Sequence, residues 1–258
     1  MVFVDTHSHL QAFAETLEEE LALARQAGVA TGIVAGGTLS CVRECLETAR
    51  KSAWGAAIGL HPLYVAEHSA QACETMLREI ETHAQELAAV GEVGLDFYMQ
   101  NPDRPLQESV FEAHLDAARR FGLPVSVHSR RALYRVLDIM RGYPGVRGVL
   151  HAFAGSVQEM RRAVDMGLKI GVGGAVSYEG SKRVRAVAQA APDEALVLET
   201  DCPDMAPSFA GDAKSHAHFI ARYAAVVAQL RKTSVEDVAR ISTANALEVF
   251  PRLNRLRP

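Results

Sequence analysis

The chain has 258 residues, 48% of them hydrophobic and 22% charged, the balance of a folded globular protein with one large domain or two small ones. Its net charge of −4 gives no global basic field for wrapping or tracking long duplexes, while leaving a local contact with phosphate open. No apolar stretch reaches the roughly 18 residues that a membrane span needs, so no membrane partner is expected.

The chain opens on an apolar run, Val2–Asp5, read as a first strand. No basic segment precedes it, so it is not read as a leader, and the cytoplasm is the expected compartment. Further short, β-branched runs follow at Thr31–Ala35, Ala56–Leu60, Ala88–Glu92 and Val125–His128. Three more lie at Gly148–His151, Lys169–Val172 and Leu196–Thr200. Between and after them lie helical stripes, such as Leu133, Val136, Leu137 and Met140, and later Phe219, Ile220, Tyr223, Val226, Val227 and Leu230. Their apolar faces are read as core. Repeated βα units imply parallel strands, and eight of them in a chain of this length predict an α/β protein: a (β/α)8 TIM barrel. A doubly wound sheet is the alternative. No low-complexity tract divides the chain, so residues 1–258 are read as a single domain. The last segment, Val235–Phe250, is read as two extra helices, with Ser234 capping the first and Ser242 or Thr243 the second. Cys41, Cys45, Cys73 and Cys202 are read as buried thiols in a reducing compartment.

The residues able to bind metal fall at particular places on this map. His7 and His9 follow the first strand in VDTHSHL, where side chains two apart project from one face. His61 ends strand three, Glu92 strand four, His128 strand five, His151 strand six and Asp201 strand eight. All of them stand at the C-terminal end of a predicted strand, the rim where barrels of this type do chemistry. A single strand-end histidine is readily satisfied by backbone groups, and an isolated His-x-His is more often two unrelated polar residues than a ligand pair. Glu92 differs, because a lone carboxylate between glycines in an apolar strand is costly without a cation. Jointly the set predicts a metal centre. His68, His83, His114, His216 and His218 fall in helices or loops and join no such series.

The segments FVDTHSHL, GLHP, VGEVGLDFY, PVSVHSR, HAFAGS, KIGVGG, LETDCPDMAP and STANALEVF resemble, in order, the signatures of the TatD-like metal-dependent hydrolases. The resemblance spans nearly the whole chain. It implies an amidohydrolase-type TIM barrel with two divalent ions and a deoxyribonuclease activity, often a 3′-5′ exonuclease on single-stranded DNA. On the matching positions, His7, His9 and Asp201 correspond to ligands of one metal. His128 and His151 correspond to ligands of the second, and Glu92 to the carboxylate bridging both. Two ions roughly 3.5–4 Å apart would ready water for attack, with Asp201 and Glu92 as catalytic carboxylates and Asp201 taking the proton. Four imidazoles with two carboxylates suit Zn, Mn, Fe or Ni better than Mg, although the family is often assayed with Mg.

His61 matches a histidine facing the substrate, in a catalytic or substrate-binding role. Arg130 is the candidate phosphate ligand and Arg131 a surface residue. Asp96 and Tyr98 are placed in the loop after Glu92, as support for the ligands and as a wall of the pocket. A monomer acting on single-stranded DNA or another phosphodiester is expected. Two departures bear on that substrate. Leu63 stands where many members carry a second histidine, and the loop MAPSFAGDAKSHAHF lacks their Arg-Gly-Lys and Asn-Glu-Pro stretches. A hydrolase of amide or ester bonds and a non-catalytic metal-binding protein are the alternatives.

Overall fold

A computed structural model describes residues 1–255 apart from His68 and Asp212. Eight parallel strands run in sequence order: β1 (Phe3–Ser8), β2 (Val29–Gly36), β3 (Gly55–Ile58), β4 (Ala89–Asp96), β5 (Val125–Arg130), β6 (Gly148–Leu150), β7 (Lys169–Val172) and β8 (Leu196–Leu198). The helices between them are α1 (Leu17–Gln26), α2 (Val42–Ser52), α3 (Ala70–His83), α4 (Arg104–Phe121), α5 (Leu133–Met140), α6 (Val157–Asp165) and α7 (Lys182–Ala190). Two more follow, α8 (Ile220–Arg231) and α9 (Val235–Val249). This is the barrel that the spacing predicts, and not a doubly wound sheet. Strands covered on both faces read as nearly continuous apolar runs, and all eight residues of β4 are buried.

Strand ends differ from the reading of the sequence in both directions. β1, β4 and β5 run past the first chemistry-bearing residue, to Ser8, Asp96 and Arg130, whereas β3, β6 and β8 stop short of it. The extension of β4 depends on Gly94 at φ 142°, where a Cβ would meet His128 O of β5 at 2.0 Å. Asp96 therefore ends a strand and is not in a loop. The segment Val235–Val249 is one helix, not two: Ser234 caps it through Asp237 N, while Ser242 and Thr243 are interior. Buried packing outweighs the weak helix preference of those two residues.

The C-terminal segment closes the lower mouth of the barrel. Val4, Ile33, Ala57, Ala89, Val149 and Val197 point inward there and meet Ala246, Val249, Phe250 and Leu253. Asn245 ties α9 to β8, donating to Asp193 O at 2.6 Å and Leu196 O at 2.7 Å. Asn245→Ala leaves both carbonyls without that donor. It is expected to cost about 1–3 kcal/mol, lowering the calorimetric Tm by roughly 2–4 °C for each kcal/mol.

The seam between β1 and β8 is closed at the upper end by single bonds. Asp201 N donates to His7 O at 2.9 Å and His9 N to Cys202 O at 2.7 Å. Thr6 Oγ1 donates to Leu198 O at 3.0 Å. Inside the seam the wholly buried Asp5 accepts from Thr200 N at 3.0 Å and Thr200 Oγ1 at 2.5 Å. Burial pushes its carboxyl up to about 8 despite the bonds from Thr200 and His7. These bonds fix where His7, His9 and Asp201 stand. The four cysteines are free thiols, but only Cys45 and Cys202 are buried, while Cys41 and Cys73 are partly exposed. No described helix is long and apolar enough to cross a membrane.

Candidate metal centre

Glu92 stands at the centre of the upper mouth, 3% exposed, and its two oxygens face different histidines. Oε2 lies 3.2 Å from His7 Nε2 and 3.5 Å from His9 Nε2. Oε1 lies 3.0 Å from His128 Nδ1, 3.1 Å from His61 Nε2 and 3.9 Å from His151 Nε2. Asp201 closes the group from above. Its Oδ1 is 3.3 Å from His9 Nε2 and 3.6 Å from His7 Nε2, and its Oδ2 is 3.6 Å from His151 Nε2. Three sets of ligand atoms lie close enough to share an ion: His7 with His9 and Asp201, His7 with Glu92 and His151, and His61 with Glu92 and His128. All seven strand-end residues named from the sequence thus meet in one place.

The backbone there is strained. Asp201 has φ 54° and Ala152, next to His151, φ 44°. Non-glycine residues hold such angles only when their surroundings impose them, and such positions cluster at functional sites.

The hydrogen bonds of the imidazoles test whether a cation fits. His9 Nδ1 donates to Ala35 O at 2.8 Å, so the neutral ring turns the Nε2 lone pair toward Asp201 and Glu92. Acceptor then faces acceptor, an arrangement that only a cation between them relieves. In the absence of metal a proton serves: burial lowers the His9 pKa, but Asp201 and Glu92 carry it up to about 9. His151 behaves alike, raised to about 10 by Glu199 and Asp201 against the effect of burial. Burial would push both carboxylates up. The imidazoles of His61 and His7 instead hold Glu92 well below the usual range, and His151 and His9 do the same for Asp201. The donor set therefore fits divalent ions.

His61 is different. Its Nδ1 accepts the Leu63 N–H at 3.1 Å, which puts the neutral proton on Nε2 and makes that atom a donor rather than a ligand.

Several supporting groups do not emerge from the sequence. Glu199 Oε1 lies 3.0 Å from His151 Nδ1 and accepts Ala152 N–H at 2.5 Å. It fits because Gly171 leaves room: a Cβ there would stand 2.3 Å from Glu199 Oε2. The spacing rule that pairs His7 with His9 also pairs Glu199 with Asp201, and that was the available signal. Ser126 Oγ lies 2.8 Å from His7 Nδ1, a contact between strands 119 residues apart that no local pattern carries. Asp96 Oδ2 lies 3.1 Å from His128 Nε2, within reach of that ring.

The centre opens into a cleft of about 700 Å³ lined in part by His61, Leu63, Tyr64, Arg130, Asp204 and Met205. Arg130 is its one arginine or lysine among the described lining residues. Tyr98 does not line the cleft. It is 48% exposed, with Arg130 at 3.9 Å and Arg131 at 4.4 Å from its ring centre, so the expected pocket wall is a cation–π stack on the rim.

A family model described as TatD related DNase matches residues 4–251. An uncharacterized metal-dependent hydrolase of Escherichia coli, YjjV, is 33% identical over 252 residues, covering 96% of this chain and 97% of that one. A protein of Pantoea ananatis named 3′-5′ ssDNA/RNA exonuclease TatD is 32% identical over 250 residues, covering 92% and 94%. The crystal structure of the E. coli YjjV protein superposes with a TM-score of 0.91 at 32% identity, over 96% of this chain and 98% of that one.

Proposed function

The chain belongs to the TatD-related DNase family and is a metal-dependent hydrolase; from that premise we propose that it cleaves phosphodiester bonds at the 3′ end of single-stranded nucleic acid. The observation that carries the reading is the pair of Glu92 oxygens, each turned to its own group of histidines. His7, His9 and Asp201 would hold one divalent ion, His128 and His151 a second, and Glu92 would bridge them. Such ions supply Lewis acidity, lowering the pKa of water and polarising a phosphoryl oxygen. Asp201, held ionised by His151 and His9, takes the proton of the attacking water. His61, with its proton on Nε2, donates to a phosphate oxygen or to the leaving group. Asp96, Glu199 and Ser126 hold the rings of His128, His151 and His7 in orientation.

Arg130 binds the phosphate beside the scissile one, its guanidinium pre-oriented on the Tyr98 ring. Arg130→Ala is expected to raise KM for an oligonucleotide about tenfold with a smaller change in kcat. It should also reduce the salt dependence of binding by about one phosphate contact. An unchanged KM and salt slope would remove Arg130 from the substrate site.

One feature favours a second reading, hydrolysis of an amide or ester in a small molecule. Leu63 and Met205 line the cleft, and beyond the histidines of the centre Arg130 is its one described cationic side chain, sparse provision for a polyanion. Parallel assays on a 3′-labelled single-stranded oligonucleotide and on N-acyl substrates separate the two. Release of mononucleotides, abolished by chelator and restored by Zn or Mn, is expected. Turnover of N-acyl compounds alone would move the assignment to the second reading.

A further inference from the structure

Two of the histidines that join no series along the chain come together on one carboxylate outside the barrel mouth. Glu20 lies in the first turn of α1 and is 4% exposed. Its Oε2 is 2.8 Å from His216 Nδ1, and its Oε1 accepts Ala217 N–H at 2.7 Å. His218 Nδ1 lies 4.0 Å from Oε1 of the same group. The two imidazoles are 5.3 Å apart, inclined by 31°. One ligand atom from each of the three residues falls within 4.8 Å of the others.

We propose that Glu20, His216 and His218 form a separate zinc-class site that fastens the loop after β8 to α1. Two imidazoles and a carboxylate make up a common three-ligand zinc set, with water in the fourth position. Donor atoms around a tetrahedral zinc stand roughly 3.3 Å apart, given bonds near 2.0–2.1 Å. His216 Nδ1 lies 2.8 Å from Oε2 and His218 Nδ1 4.0 Å from Oε1, and one donor atom from each of the three residues lies within 4.8 Å of the others, so side-chain rotation brings them to that spacing. Charge points the same way. Among the described residues, the ion-pair partners of Glu20 are histidines rather than arginine or lysine. A buried carboxylate needs a compensating cation, and a dication shared with two imidazoles provides one. Entry is open, because the side chains of His216 and His218 are 19% and 28% exposed while that of Glu20 is 5% exposed. Magnesium and calcium, which demand oxygen ligands, are disfavoured.

The site would not touch the reaction. Its effect is on Pro203, Asp204 and Met205, which follow β8 and line the cleft. Held at its far end by the ion and at its near end by His9 N to Cys202 O, this wall keeps one position.

The test is metal content, independent of substrate. The full chain is loaded with zinc, freed of loosely bound ion by gel filtration, and measured by elemental analysis beside His216→Gln/His218→Gln. The double variant is expected to hold one zinc fewer per chain, and its cobalt(II) form to lack one set of tetrahedral d–d bands. Glu20→Gln guards against misfolding, since its amide oxygen still accepts Ala217 N–H; it should lose the same zinc. Equal zinc and identical cobalt spectra in parent and variants would overturn the site.

Discussion

Asp201→Asn is expected to leave the protein folded and to reduce turnover by on the order of 10²–10⁴. The substitution is isosteric and asparagine tolerates the left-handed backbone that Asp201 adopts at φ 54°. The backbone bond from residue 201 N to His7 O is untouched, so the β1–β8 seam stays closed. What changes is the charge. Burial works against ionisation of Asp201, and His151, His9 and His7 overcome it, so the native group is a carboxylate in a site that excludes most water. An amide there neither takes a proton nor answers the positive charge between His9 and His151. The measurement is kcat at saturating metal, with metal content determined on the same sample and the fold checked by circular dichroism. Loss of kcat at retained content assigns the proton transfer to Asp201, whereas an unchanged kcat removes it from that role.

The legible part of this protein is the part written in short-range pattern. Apolar runs of strand length, alternating with helical stripes, give the order of the barrel, and the strand ends then give His7, His9, His61, Glu92, His128, His151 and Asp201. What escapes depends on contacts between distant segments. Asp5 sits in an apolar strand like an error until Thr200, 195 residues on, donates to it. Ser126 is an ordinary strand residue until His7 comes to rest against it. Tyr98 and Arg130 are separated in the chain by α4, and their stacking on the rim follows from the reach of β4 and β5, which run further than their apolar content implies. The pairing of His216 and His218 with Glu20 needs α1 and the loop after β8 to lie side by side, which only closure of the barrel brings about. Local sequence therefore reports which residues stand at the mouth, while the tertiary fold decides which nitrogen or oxygen each presents.

That distinction sets the second large effect, Glu92→Ala, which is expected to weaken metal binding at the mouth as a whole by more than roughly 100-fold, beyond the loss that removal of a merely orienting group brings. The ground is the division of labour between the two oxygens: Oε2 faces His7 and His9, and Oε1 faces His61, His128 and His151. A carboxylate serving one ion would turn both oxygens, or a single one, to one group of imidazoles. Here removal of the side chain takes a ligand from each group and also takes the charge that keeps the histidines together in a buried space. Alanine is tolerated sterically, so the barrel is expected to persist with an enlarged mouth. Elemental analysis after dialysis against a weak chelator reads the result. Depletion of both mouth ions fits the bridge. Loss of one with full retention of the other would confine Glu92 to a single ion and leave the second to His128 and His151 alone. Retention of both would mean that the carboxylate at the centre of the mouth binds neither, and the binuclear reading of this barrel would fall with it.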